Sequence, residues 1–167
     1  MAGPRSTELL GSGGQNLRVS GTEAKASVAL DSTVRSKVAS SLAAVRTATQ
    51  PKPDRVFLNL ENVRGVNDAT TFKVYINVPD GEDPAKYPSH LAGSIALFGV
   101  RKATLANQQH AGNGITFVLE ITKVIDSLHL AGNFDANQLN VRLVPMRPVP
   151  DAAQISIGKI SVYRQGA

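Results

Sequence analysis

The sequence predicts an all-β protein: an antiparallel β-sandwich of about 6–8 strands, with one N-terminal helix and one short helical turn. Three observations point to it. Apolar and polar residues alternate with a period of two over much of the chain after residue 54. Turn-forming clusters punctuate those runs at Asn67-Asp68, Pro79-Asp80-Gly81, Gly112-Asn113-Gly114, Gly132-Asn133 and Pro148–Asp151. A helical stripe of roughly three to four turns occurs once, from Asp31 to Val45.

Taken in order, residues 1–14 end in Gly11-Ser12-Gly13-Gly14, a density of Gly and Ser that reads as a flexible tether or a cloning remnant. Residues 15–52 form a connector. It holds two short strand-like pieces, Leu17–Val19 and Ala26–Leu30, then an N-cap at Asp31 or Ser32. Val34, Val38, Leu42 and Val45 make one apolar face of a helix, and Pro51 and Pro53 close the region. The sandwich is expected over residues 53–167. Val56, Leu58 and Leu60 alternate with Phe57, Asn59 and Glu61; Phe72, Val74, Ile76 and Val78 alternate with Lys73, Tyr75 and Asn77. Ile115, Phe117, Leu119 and Ile121 alternate with Thr116, Val118, Glu120 and Thr122, and Leu139, Val141 and Leu143 with Asn140 and Arg142. A helical turn is expected at Lys123–Leu128. In the final run Ile155 and Ile157 are out of phase with Ile160 and Val162, and a β-bulge at Gly158 would return all four to one face.

Composition excludes several function classes. The 167 residues are 42% hydrophobic and 19% charged, which suits one compact domain with an appended segment. Apolar runs are short, so no membrane span is expected, and no apolar h-region marks a signal peptide. With no Cys there is no disulfide, thiolate metal site or Cys nucleophile. The net charge is +5, but residues 1–52 contribute +4 of it, from seven basic and three acidic residues. The nearly neutral remainder, with 5% aromatics in the whole chain, lacks the basic and stacking footprint of a nucleic-acid binder.

Catalytic constellations are equally absent. His90, His110 and His129 have no i, i+2 or i, i+4 partner, so they read as single histidines rather than a chelate. Ala92-Gly93-Ser94-Ile95-Ala96 lacks the second Gly of a nucleophile elbow. Asp80, Glu82 and Asp83 cluster in one loop without calcium-loop spacing, which reads as a solvated loop. Gly112-Asn113-Gly114 precedes a strand rather than a helix, which fits a hairpin turn better than a phosphate cradle. One residue stands apart. If Ile95 and Leu97 face the core, Phe98 before Gly99 points outward, either as an apolar docking residue or buried by a change of register.

These segments resemble a known family. Arg55-Val56-Phe57-Leu58-Asn59-Leu60-Glu61-Asn62-Val63 is similar to the first strand of the C-terminal domain of bacterial tyrosinases and polyphenol oxidases. Phe72-Lys73-Val74-Tyr75-Ile76-Asn77 resembles the plant motif Lys-Phe-Asp-Val-Tyr-Val-Asn, with its lead replaced by Thr71-Phe72-Lys73. The stretch from His90 to Gly99 is similar to the Ala-Gly-Ser-Phe segment of those enzymes and to a segment of molluscan haemocyanin sandwich domains. Thr116–Thr122, Leu139–Pro145 and Ile155–Ile160 continue the pattern in order, so the resemblance covers roughly residues 54–164.

The resemblance implies a non-catalytic lid. In that family a separate helical domain holds a dicopper centre on six His, whereas this chain has three His in all. The implied partner is the catalytic copper domain, on the same polypeptide or released from it by cleavage. An apolar side chain of the lid stands in the substrate's place, and the matching segment offers Phe98, flanked by Leu97 and Gly99. The copper-delivery Cys-x-x-Cys of fungal relatives is absent. The resemblance thus implies no cofactor in this chain and dicopper in the parent protein. The alternative is a free-standing binding module for protein or carbohydrate, using an open face around Tyr75, Tyr87 and Phe98. An uncovered apolar face would also allow a homodimer.

Overall fold

A computed structural model describes residues 7–47, 54–66, 71–97, 114–130 and 138–166. The elements are β1 Thr7–Gly13, β2 Leu17–Val19, β3 Ala24–Leu30, α1 Ser32–Arg46, β4 Arg55–Arg64, β5 Thr71–Ile76, β6 Leu91–Ala96, β7 Ile115–Glu120, α2 Thr122–Leu130, β8 Gln138–Pro145 and β9 Ile155–Gln165. The turns expected at Asn67-Asp68, Gly112-Asn113 and Gly132-Asn133, and the boundary at Pro51 and Pro53, fall outside the described residues.

The all-β antiparallel class holds, with nine strands among the described residues rather than six to eight. They form one sheet instead of two separate layers, in the order β6-β5-β8-β3-β1-β9-β4-β7, with β2 pairing alongside on β9. The sheet curls until its end strands meet: a Cβ added to Gly93 of β6 would sit 3.1 Å from Leu119 Cδ2 of β7. Curling removes most of the exposed strand edge. The enclosed side chains include Leu10, Val28, Leu58, Leu60, Val74, Ile76, Ile160 and Val162, all fully buried. Both helices feed the same core, α1 through Val38 and Leu42 and α2 through Val124, Ile125 and Leu128. Asp31 caps α1, its Oδ1 accepting the Val34 N–H at 2.9 Å.

Two expectations are corrected. Thr7–Gly13, expected within a flexible tether, form β1 between β3 and β9. Gly11 and Gly13 are there for close approach, because a Cβ at either would collide with the carbonyl oxygens of Ala29 and Ser27 on β3. The connector is likewise part of the sheet, since β3 pairs with β8 and β2 with β9. The phase change at Gly158 does bring Ile155, Ile157, Ile160 and Val162 into the core. It is not an extra residue on β9 alone, however. Register with β4 stays continuous, because β4 changes phase opposite it at Asn62, whose φ is +55°. The compensating slip appears between β4 and β7, at Leu60/Val63.

Candidate functional site

The segment singled out in the sequence is described as far as Leu97, which directly follows end strand β6; the next described strand is β7, at the opposite end of the sheet. Phe98 and Gly99 lie outside the described residues. Leu97 is 1% exposed and lines a small internal void with Val63, Phe72, Ile95, Leu143 and Ile157. Of the three docking candidates, Leu97 is therefore a core residue.

The open aromatic face of the alternative reading is not assembled by the described residues. Tyr75 is 6% exposed. Tyr87 packs edge-on against His90, with ring centroids 5.3 Å apart. His90 is half-buried, and its Nδ1 lies 2.8 Å from the Ile76 carbonyl oxygen. That contact fixes the ring as part of the loop after β5. His129 lies in the last turn of α2, and His110 is outside the described residues. Among the described residues no three His, Asp or Glu side chains gather as a metal-binding group.

The acidic loop at 80–83 is organised from beneath by Arg142. Its guanidinium is buried, with Nη1 donating to the Glu82 carbonyl at 2.7 Å and Nη2 to the Pro79 carbonyl at 2.7 Å. Nε lies 3.5 Å from Glu23 Oε1. Asp83 caps the short 3-10 turn that follows, accepting the Ala85 N–H at 3.0 Å. These contacts give the Asp83 carboxylate and the Glu82 backbone carbonyl structural work. A polar cleft of about 370 Å³ lies alongside, lined by Lys25, Ser27, Asp80, Gln138, Asn140 and Arg142 among others. Alternation assigned Arg142 to the polar face of β8, and only the fold of the loop over it decides its burial.

A second, apolar feature lies on the outer face of the sheet. Across β1, β9, β4 and β7, Leu9 pairs with Tyr163, Tyr163 with Phe57, and Phe57 with Glu120. One step along, Asn59 pairs with Val118. Phe57, Asn59, Val118 and Tyr163 line a shallow groove of about 330 Å³, with Thr7 and Gln165 at its edge. Val118 is 58% exposed and Leu9 48%. Arg55 stacks over Phe57 at 4.9 Å and pairs with Glu120 through Nε–Oε1 at 3.2 Å and Nη2–Oε2 at 2.9 Å. Hydrogen bonds from Arg55 hold the Glu120 carboxyl below the usual carboxylate range, with desolvation opposing them in part. Period-two alternation placed Phe57 and Val118 on the outer face, but their meeting with Tyr163 is a product of register.

Comparison with known proteins places the chain. The family described as a domain of unknown function (DUF7868) matches residues 6–165. Among curated proteins the chain is 25% identical, over 111 residues, to tyrosinase HcTyr1 of Hahella sp. (strain CCB-MM4), a match covering 66% of this chain and 23% of that protein. Among solved structures it is similar to latent apple tyrosinase, with a TM-score of 0.53 and 18% identity over 87% of this chain and 27% of the other. A recombinantly expressed latent aurone synthase (polyphenol oxidase) matches with a TM-score of 0.46 and 15% identity, over 68% of this chain and 20% of the other. The chain thus spans about a quarter of the length of these relatives. The expected resemblance to a part of tyrosinases is borne out by the Hahella protein, and the apple tyrosinase structure supports it at the level of the fold.

Proposed function

We propose that this chain, which belongs to the DUF7868 family, is the lid domain of a tyrosinase-like polyphenol oxidase, covering the dicopper site of a separate catalytic domain and keeping it latent. The observation that carries this reading is the match to a tyrosinase of which the chain corresponds to only 23%. A dicopper centre on six His does not fit this chain: it has three His, and the two described ones lie in separate elements, His90 in the loop after β5 and His129 on α2. The copper chemistry then belongs to the parent protein, and no reaction step is assigned to residues here.

The lid works by exclusion. Phe98, singled out by the sequence, is the side chain that occupies the phenol pocket. A phenyl ring has the shape of the substrate's ring and displaces water as well as substrate. Burying it contributes about 1.5–3 kcal/mol. On a tether, the local concentration is on the order of millimolar, so modest affinity suffices for latency. Cleavage of the tether removes that advantage.

The test is reconstitution. The purified chain is added to the cognate copper domain and diphenol oxidation is followed by oxygen uptake. Saturable inhibition supports the lid; unchanged turnover at high lid concentration rejects it. The isolated chain loaded with copper is expected to give no coupled dicopper signal and no turnover, and either one would overturn the assignment.

A further inference from the structure

The polar cleft beside the loop after β5 takes no part in the lid reading. We propose that it is a binding site for a neutral saccharide, with a sugar ring held by hydrogen bonds between the loop and the sheet. The site is independent of the lid and of any aromatic face.

The cleft is braced from within. Its floor is the outer face of two paired strands, where Ser27 of β3 stands opposite Asn140 of β8 and Lys25 opposite Arg142. Its wall is the start of the loop, with Val78 and Asp80. Asn77 Oδ1 accepts the Asn140 N–H at 2.8 Å, which fastens the loop to the floor. Arg142 holds the Pro79 and Glu82 carbonyls at 2.7 Å each, and the Glu82 N–H closes the turn on the Pro79 carbonyl at 3.1 Å. A volume of about 370 Å³ lies within the range of small-molecule sites, and the bracing means that it exists before a ligand arrives.

The chemistry of the lining selects the ligand. Asn140 Oδ1 accepts hydrogens from Ser27 Oγ at 3.0 Å and Gln138 Nε2 at 3.4 Å, which fixes how the amide is turned. Asn140 Nδ2, Gln138 Oε1 and the Asp80 carboxylate then have no hydrogen-bond partner among the described residues. A donor and two acceptors are left in one cleft, with the Lys25 ammonium beside them. Each hydroxyl of a sugar both donates and accepts, so neighbouring hydroxyls match such a mixed set.

Other ligand classes meet the wrong groups. An anion needs uncommitted cations, yet the Arg142 guanidinium is engaged by Pro79, Glu82 and Glu23, and Lys25 lies 3.4 Å from Glu23. Asp80 adds a negative charge, and Lys25 in turn opposes a cationic ligand. A metal ion needs gathered ligands, and the described residues offer no such group. An apolar ligand needs exposed hydrocarbon, and Val78 and Val141 are buried.

The test is titration of the full chain, labelled with nitrogen-15, followed through its amide shifts. The probes are glucose, galactose, N-acetylglucosamine, maltose and cellobiose, with glycerol and sodium phosphate as controls. At least one sugar should give saturable shifts centred on residues 25–27, 78–80 and 138–142. The dissociation constant should be on the order of millimolar, as befits a ligand of about a dozen non-hydrogen atoms per ring with no aromatic stack. Asp80→Ala and Gln138→Ala, both at exposed positions, should each weaken binding about fivefold or more with Tm nearly unchanged. Absence of saturation with every sugar overturns the proposal. So does saturation by phosphate alone, which would make the cleft an anion site, or a glycerol response as strong as that to the sugars. Sugar binding that neither variant weakens places the site elsewhere and overturns it too. None of these outcomes alters the reconstitution test of the lid.

Discussion

Arg164 on β9 donates its Nε hydrogen to Asp54 Oδ2 at 2.6 Å, a near-buried contact that ties the last strand to the residue preceding β4. Arg164 Nη1 reaches Glu8 of β1 at 2.9 Å, and Lys37 of α1 holds the same carboxylate. The Asp54 backbone N–H is accepted by the Ser41 hydroxyl at 2.7 Å. Four elements distant in sequence therefore share one ionic joint. Removing one member of a buried pair strands the other's charge, so Asp54→Ala should cost about 3 kcal/mol. Urea unfolding checks this, and a loss below about 0.5 kcal/mol would mean that Glu8 alone suffices for Arg164.

The matched slip at Asn62 and Gly158 leaves no space for a side chain. A Cβ at residue 158 would lie 2.9 Å from Asn62 Cβ and 3.3 Å from the Glu61 carbonyl oxygen. Neither neighbour is the far end of a flexible chain. Gly158→Ala should destabilise by roughly 1–3 kcal/mol. Asn62→Gly, at a φ of +55°, should be neutral or stabilising and should recover part of the loss in the double variant. Thermal unfolding of the cycle measures the coupling.

Arg142→Leu should loosen the loop after β5 more than the sheet. The substitution removes the guanidinium donors from the Glu82 and Pro79 carbonyls, the latter keeping the Glu82 N–H at 3.1 Å, and takes from Glu23 its buried partner. The expected cost is about 2–4 kcal/mol, and Arg142→Lys should recover little, because an ammonium cannot reproduce the forked geometry. Hydrogen exchange should accelerate first across residues 78–87.

The Glu120 carboxyl titrates below the ordinary glutamate range because Arg55 hydrogen-bonds its charged form. A depressed folded value means that the pair's contribution is complete above the unfolded value and disappears as pH falls through the folded one. Arg55→Gln should move the Glu120 titration back upward in carboxyl-detected NMR. Stability near neutral pH should change little, since both side chains are exposed and salt screens them. An unmoved titration would contradict the assigned cause.

For the lid itself, Phe98→Ala should raise the basal activity of the lid-bound enzyme by roughly one to two orders of magnitude, as the lost ring burial converts to a closed-to-open ratio. Substrate competition distinguishes this from lid detachment, because a detached lid would also lose binding in calorimetry. Unchanged latency would remove Phe98 from the mechanism.

What the sequence determined by itself was what local patterning encodes. Alternation marked β4, β5, β7 and β8, the stripe from Val34 to Val45 marked α1, and Asp31 was legible as its cap because capping is decided within four residues. The count of three imidazoles bounded the chemistry without any fold. Register, curvature and close approach belong to the tertiary structure. Gly11 and Gly13 read as flexibility until β3 lay across them, and Arg142 read as a surface residue until the loop closed over it. The groove at Asn59 existed in the sequence only as scattered outward positions. Pairing three strands in one register brought Phe57, Val118 and Tyr163 together, a long-range outcome that no local period carries.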